Sequence, residues 1–74
     1  MMNGPIYSID ITWDDDADVW IAISDSIPLA LENESYDTLV ERIKIVSNEI
    51  LALNSNIQTP PNLIIKSERL IANG

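Results

Sequence analysis

The sequence predicts an α+β fold: a three-stranded antiparallel sheet, one helix and a final strand, in the order β-β-β-α-β. Three observations predict it. Apolar and polar residues alternate strictly near the start of the chain, an apolar stripe at helical spacing runs through its middle, and short polar or proline-containing breaks separate the segments between them. The 74 residues make one domain spanning positions 1–74.

The first strand is read from Tyr7 to Trp13. Tyr7, Ile9, Ile11 and Trp13 fall on one face and Ser8, Asp10 and Thr12 on the other, the period of a half-buried strand. Asp14 to Asp18 form a polar turn, since an aspartate side chain can satisfy nearby backbone N–H groups. The second strand runs from Val19 to Ser24. The segment Asp25 to Pro28 ends it, because proline cannot donate to a ladder. Leu29 to Glu34 give a third, shorter strand.

The helix is marked by Tyr36, Leu39, Val40, Ile43, Val46, Ile50 and Leu53, which recur every three or four positions. Ser35 is placed to cap it, and Asp37 lies in the first turn, where the helix dipole favours an anion. Asn54 and Ser55 end the pattern, Thr59, Pro60 and Pro61 read as an extended linker, and Leu63 to Ile71 form the last strand.

One helix covers one face of a sheet, so the other face meets water or a partner. Register decides what lies there, because a slip of one residue exchanges the two faces. Setting Val19, Ile21 and Ile23 beside Ile9 and Ile11 buries the most aliphatic side chains, each stabilising by about 1.5–3 kcal/mol. It places Trp20, Ala22 and Ser24 on the open face. Trp20 there either anchors a partner or packs with Ile6 as a small second cluster. Glu32 and Glu34, on the neighbouring strand, are candidate partner-binding residues beside Trp20.

Composition narrows the function. Twelve acids face four bases, a formal net charge of -8, and no Lys or Arg precedes Arg42. Nucleic acid and anionic lipid repel such a chain, so neither is an expected partner. The acids either keep a small domain soluble or attract a basic protein. A chain this short buries only about 60 % of its unfolded surface. With no cysteine for disulfides, the remaining way to add stability is a homodimer or higher homo-oligomer. No basic-apolar leader and no apolar run near the ~20 residues of a membrane span is visible, so a cytoplasmic location is expected.

The chemistry of catalysis is sparse. There is no histidine, hence no usual general base, and no G-x-S-x-G elbow or glycine-rich phosphate loop. The acidic run Asp14, Asp15, Asp16 and Asp18 lacks the glycine of a calcium-binding EF-hand loop. Asp10 with Glu32 or Asp25 would make a magnesium site only if further acids converged and bases held the substrate phosphates. No enzyme activity, no metal site and no cofactor are expected.

The residues Trp13-Asp14, Ala17, Val19-Trp20, Ala22 and Ser24 form the pattern W-D-x-x-A-x-V-W-x-A-x-S. It resembles a family of small bacterial proteins, domain of unknown function 1902, grouped with the HicB-like antitoxins. Asp25 with Pro28-Leu29, Ser35 to Leu39, Leu51 with Leu53-Asn54, and Pro61 to Lys66 resemble later parts of the same family. The family's glycine after the proline is absent, since Leu29 follows Pro28 directly, so the entry to the third strand is expected to be shorter. The resemblance implies a partial ribonuclease-H-like fold without its catalytic acids. It also implies a protein-binding role, in which HicB-type antitoxins block a small, basic RNA-cleaving toxin of the HicA type. The DNA-binding segment that usually follows in full antitoxins has no counterpart before Gly74, so direct autorepression is not expected.

The expected function is a non-catalytic binding module, a stand-alone antitoxin-like domain for a basic partner such as a HicA-type toxin. The alternatives are a homo-oligomeric structural or small-ligand-binding domain and a divergent metal nuclease.

Overall fold

The computed structural model describes residues 6–54 and 62–72. Four strands and one helix follow in the order β1 (Ile6–Asp14), β2 (Val19–Ser24), β3 (Leu29–Asn33), α1 (Tyr36–Asn54) and β4 (Asn62–Glu68). The strands form one mixed sheet in the order β3-β2-β1-β4. β1–β2 and β2–β3 are antiparallel, and β4 lies parallel to β1. The expected three-stranded antiparallel sheet is thus the first part of a four-stranded mixed one. The return through α1 brings the last strand beside the first, and a parallel neighbour requires such a long crossover. The expected linker at Thr59, Pro60 and Pro61 lies outside the described residues.

The register is the reverse of the expected one. Ile11 opposes Ala22 and Trp13 opposes Trp20, so Trp20, Ala22 and Ser24 lie on the helix side and Val19, Ile21 and Ile23 on the open side. The turn is the physical reason. The Asp14 carbonyl accepts from Asp18 N–H at 2.8 Å, and an Asp14 carboxylate oxygen accepts from Asp16 N–H at 2.9 Å and Ala17 N–H at 3.3 Å. Asp18 takes a left-handed conformation, with φ 56°. These bonds pair Asp14 with Val19, and turn geometry then fixes every later pair of the hairpin. Packing agrees: the small Ala22, fully buried, lets the helix approach the sheet, and Trp20 finds aromatic neighbours on that side.

At the far end of β2 the Ser24 hydroxyl donates to the Ser8 carbonyl at 2.8 Å and accepts from Ser26 and Ile27 N–H at 3.1 and 3.3 Å. The break between β2 and β3 is not wholly polar, because Ile27 is buried. Leu29 N–H returns to the Ile27 carbonyl at 2.8 Å, a three-residue turn around Pro28 whose fixed φ suits it. That turn starts β3 directly at Leu29.

Ser35 caps α1. Its side-chain oxygen accepts from Thr38 N–H at 3.3 Å and its carbonyl from Leu39 N–H at 3.0 Å. Asn33 leads in by accepting from Ser35 N–H at 2.8 Å. The most buried line of the helix is Leu39, Ile43, Ser47 and Leu51, a ridge of four-residue steps. Tyr36, Val40, Val46 and Ile50 flank it. Leu53, expected within the stripe, is exposed at 85 %, because it lies off that ridge. Together with Ile9, Ile11, Ala22, Ile27 and Leu29, the ridge makes the core.

Candidate functional site

Two surfaces carry side chains that could meet a ligand. The first is the face of the sheet opposite the helix. The register places Val19, Ile21 and Ile23 of β2 along its middle, Asp10 and Thr12 of β1 on one side and Ala30 and Glu32 of β3 on the other. Ile64, Lys66 and Glu68 of β4 extend it beyond β1. Ile23, Ile64 and Ile6 are about half exposed, at 51 %, 49 % and 46 %. Among the described residues, shallow depressions run along this side, three of which carry polar side chains at their edges. Val19, Glu32, Glu34 and Ser35 line one, Ile21, Ile23, Ala30 and Glu32 the next, and Asp10, Thr12, Lys66 and Glu68 the third. The face is an aliphatic row with acids around it and one base, Lys66.

This arrangement divides the expected binding residues. Glu32 and Glu34 come together with Val19. Trp20 is on the opposite face, so the expectation that it forms the centre of the open face is corrected. Each residue moved face with the register: Ile21 and Ile23 occupy the place assigned to Trp20. The signal that could have found them is the length of the acidic turn, which sets the Asp14–Val19 pair. Asp10 and Glu32 share the face, but β2 runs between them, with Ile23 opposite Asp10 and Ile21 opposite Glu32. Among the described residues no three carboxylates are gathered as a metal site would need.

The second surface is on the helix side, at the hairpin end of the sheet. Trp13 and Trp20 oppose each other across β1 and β2, with ring centroids 5.2 Å apart and planes at 64°. Tyr36, at the start of α1, meets Trp20 edge-on at 5.2 Å and 77°. Such edge-to-face pairs are favoured by the ring quadrupoles. The Tyr36 hydroxyl hydrogen-bonds the Ser67 hydroxyl of β4, and the Trp13 indole N–H donates to Asp15 at 2.6 Å. Arg69, just past β4, closes the cluster: its guanidinium carbon lies 4.4 Å from the Trp13 ring centroid and 5.8 Å from that of Trp20. Four elements, β1, β2, α1 and β4, and the hairpin turn thus converge on one aromatic group. The sequence pattern showed the two tryptophans, but Tyr36 joins them only through the packing of α1 on β2, and Arg69 only through the crossover that brings β4 beside β1.

Residues 6–71 match the family model described as domain of unknown function (DUF1902). The match covers most of the chain, and the protein belongs to that family. Among solved structures, it is similar to a hypothetical protein, TTHA1013, from the extremely thermophilic bacterium Thermus thermophilus. The two share 27 % sequence identity over 93 % of this chain and 100 % of the other, with a TM-score of 0.75. No curated protein matches the sequence.

Proposed function

We propose that this member of the DUF1902 family is a non-catalytic binding module that holds a small, basic protein against the open face of its sheet, in the manner of a HicB-like antitoxin acting on a HicA-type toxin. One observation carries the reading: half-exposed Ile23 stands in an aliphatic row with Ile21, between Asp10 and Glu32, with Glu34 and Glu68 further out. The row supplies the desolvated centre of an interface, where binding energy concentrates. The acids supply a rim that speeds encounter with a cation-rich surface and disfavours acidic partners. They also work against the rival arrangement, a second copy laid face to face, which would set like charges against each other. Among the described residues β3 is an edge strand, and an edge offers ladder groups to either kind of neighbour. No helix among the described residues is long and apolar enough to cross a membrane, and the cytoplasm is the proposed location.

The test is isolation of the protein from its own host beside an Ile23→Lys variant. Position 23 is half exposed, so the substitution leaves the fold intact and puts a charge in the middle of the face. The expected result is a small basic protein that accompanies the native form, leaves it as salt is raised, and is missing from the variant. A partner retained equally by the variant refutes the assignment to this face. A native protein that forms only homo-oligomers, lost on Ile23→Lys, would favour self-assembly through the same surface.

A further inference from the structure

We propose that the Trp13–Trp20 surface is a receptor for a guanidinium group, occupied in this chain by its own Arg69 and open to an arginine side chain from outside. The inference stands on the opposite face from the one proposed for a basic partner and does not depend on that reading.

Arg69 is held by the two tryptophan rings. Its guanidinium lies over the face of Trp13 and within reach of Trp20, the arrangement in which a ring quadrupole attracts a cation. Among the described residues it makes no ion pair and no hydrogen bond; the one ion pair is Lys44 with Glu41. This is unusual chemistry for an arginine in a chain with twelve acids, since a carboxylate can take the guanidinium fork through two bonds. Among the described residues Arg69 is therefore held by ring faces alone, and no directional bond from them resists its departure. The aromatic part, by contrast, is fixed. Trp13 is tied through its indole N–H to Asp15, Trp20 is wedged edge-on between Trp13 and Tyr36, and Tyr36 is bonded to Ser67. The rings form a preorganised acceptor, while the cation over it is carried by an exposed residue beyond the end of β4.

Electrostatics gives the class of ligand. Asp14, Asp15, Asp16 and Asp18 all lie in or beside the turn next to Trp13, so the surroundings add negative potential to the two ring faces. An anion or a neutral apolar ligand gains nothing from that field. A planar cation gains from the field and from stacking, and guanidinium is both planar and weakly hydrated.

Trp13 and Trp20 are the only tryptophans of the chain, so intrinsic fluorescence reads this site directly. The experiment titrates N-acetylargininamide, well below denaturing concentrations, into the native protein and into Arg69→Gln, with the neutral isostere N-acetylcitrullinamide as control. Glutamine keeps an aliphatic stem and removes the cation, and cooperative thermal melting of the variant establishes that it is folded. The expected result is a saturable change in emission for Arg69→Gln at concentrations about five-fold lower than for the native protein, the factor one tethered cation–π contact should cost a competitor. The citrulline compound should give no saturable change with either. A tetra-arginine peptide compared at equal guanidinium concentration separates the sources. Equal affinity assigns the site to single free guanidinium compounds, and tighter binding assigns it to a basic chain that also engages the turn aspartates. The proposal is overturned if the arginine compound gives no saturable change with Arg69→Gln, if native protein and variant respond alike, or if the citrulline compound binds as well.

Discussion

Replacing Ser47 by alanine should stabilise this protein. Ser47 lies in the middle of α1 on its most buried ridge, between Ile43 and Leu51, and is 0 % exposed. Its hydroxyl oxygen has no hydrogen-bond partner among the described residues. An unpaired hydroxyl moved out of water costs about 1–3 kcal/mol. Alanine removes that cost and adds a few tenths of a kcal/mol of helix propensity. Against this stands the small void left by one oxygen atom, which costs less than the ~1 kcal/mol of a missing methyl group. The net expectation is a gain of about 1–2 kcal/mol, or roughly 5–10 °C in melting temperature for a domain of this size. Urea unfolding followed by circular dichroism measures it, and the midpoint should rise at unchanged slope. An unchanged or lowered midpoint would refute the reasoning and mean that the hydroxyl is satisfied, by a buried water or by the helix carbonyl one turn earlier.

Other substitutions test the turns and the aromatic group. Asp18→Gly should stabilise by about 0.5–1 kcal/mol, because glycine takes positive φ without the cost an L-residue incurs, whereas Asp18→Val should destabilise; thermal melting of the pair checks the sign of both. Ser24→Ala removes the bond to the Ser8 carbonyl and two turn bonds. It should cost about 1–3 kcal/mol and speed amide exchange at Ser26 and Ile27. Trp20→Ala should cost about 2–3 kcal/mol, less than a fully buried aromatic, in a protein whose mass in solution is unchanged; no loss of stability would mean that Trp20 does not pack on the helix side.

The elements were legible in the sequence wherever a local signal sufficed. The alternation through Tyr7–Trp13, the bounds Val19 and Ser24, and the Ser35 cap each follow from neighbouring residues and hold in the structure. What was not legible depended on choices between nearly equal burials. Counting aliphatic side chains favoured Val19, Ile21 and Ile23 on the helix side. That count omitted the turn bonds from Asp14 and the aromatic contacts that Trp20 gains with Trp13 and Tyr36. The open face was therefore expected correctly as a surface rimmed by Glu32, but with the wrong residues at its centre. Ile27 was hidden inside a segment that reads as a break because of Pro28. Ser47 was hidden because a serine interrupts an apolar pattern without revealing that it sits on the ridge. The pairing of Ile6 with Asn62 and of Thr12 with Glu68 has no local signature at all, since parallel partners are joined only through the crossover.

That pairing also orders events in time. Translation delivers β1 first and β4 last, and β1 lies between β2 and β4 in the finished sheet. The two hairpins and the helix can assemble from contacts close in sequence, but until β4 emerges one side of β1 is an open ladder next to Ile9 and Ile11. A nascent chain with that edge unsealed is open to pairing with another nascent chain, and contacts so distant in sequence are slow to form. Synthesis from the same message at high density would therefore put the growing chain at greater risk of misassembly than the completed one.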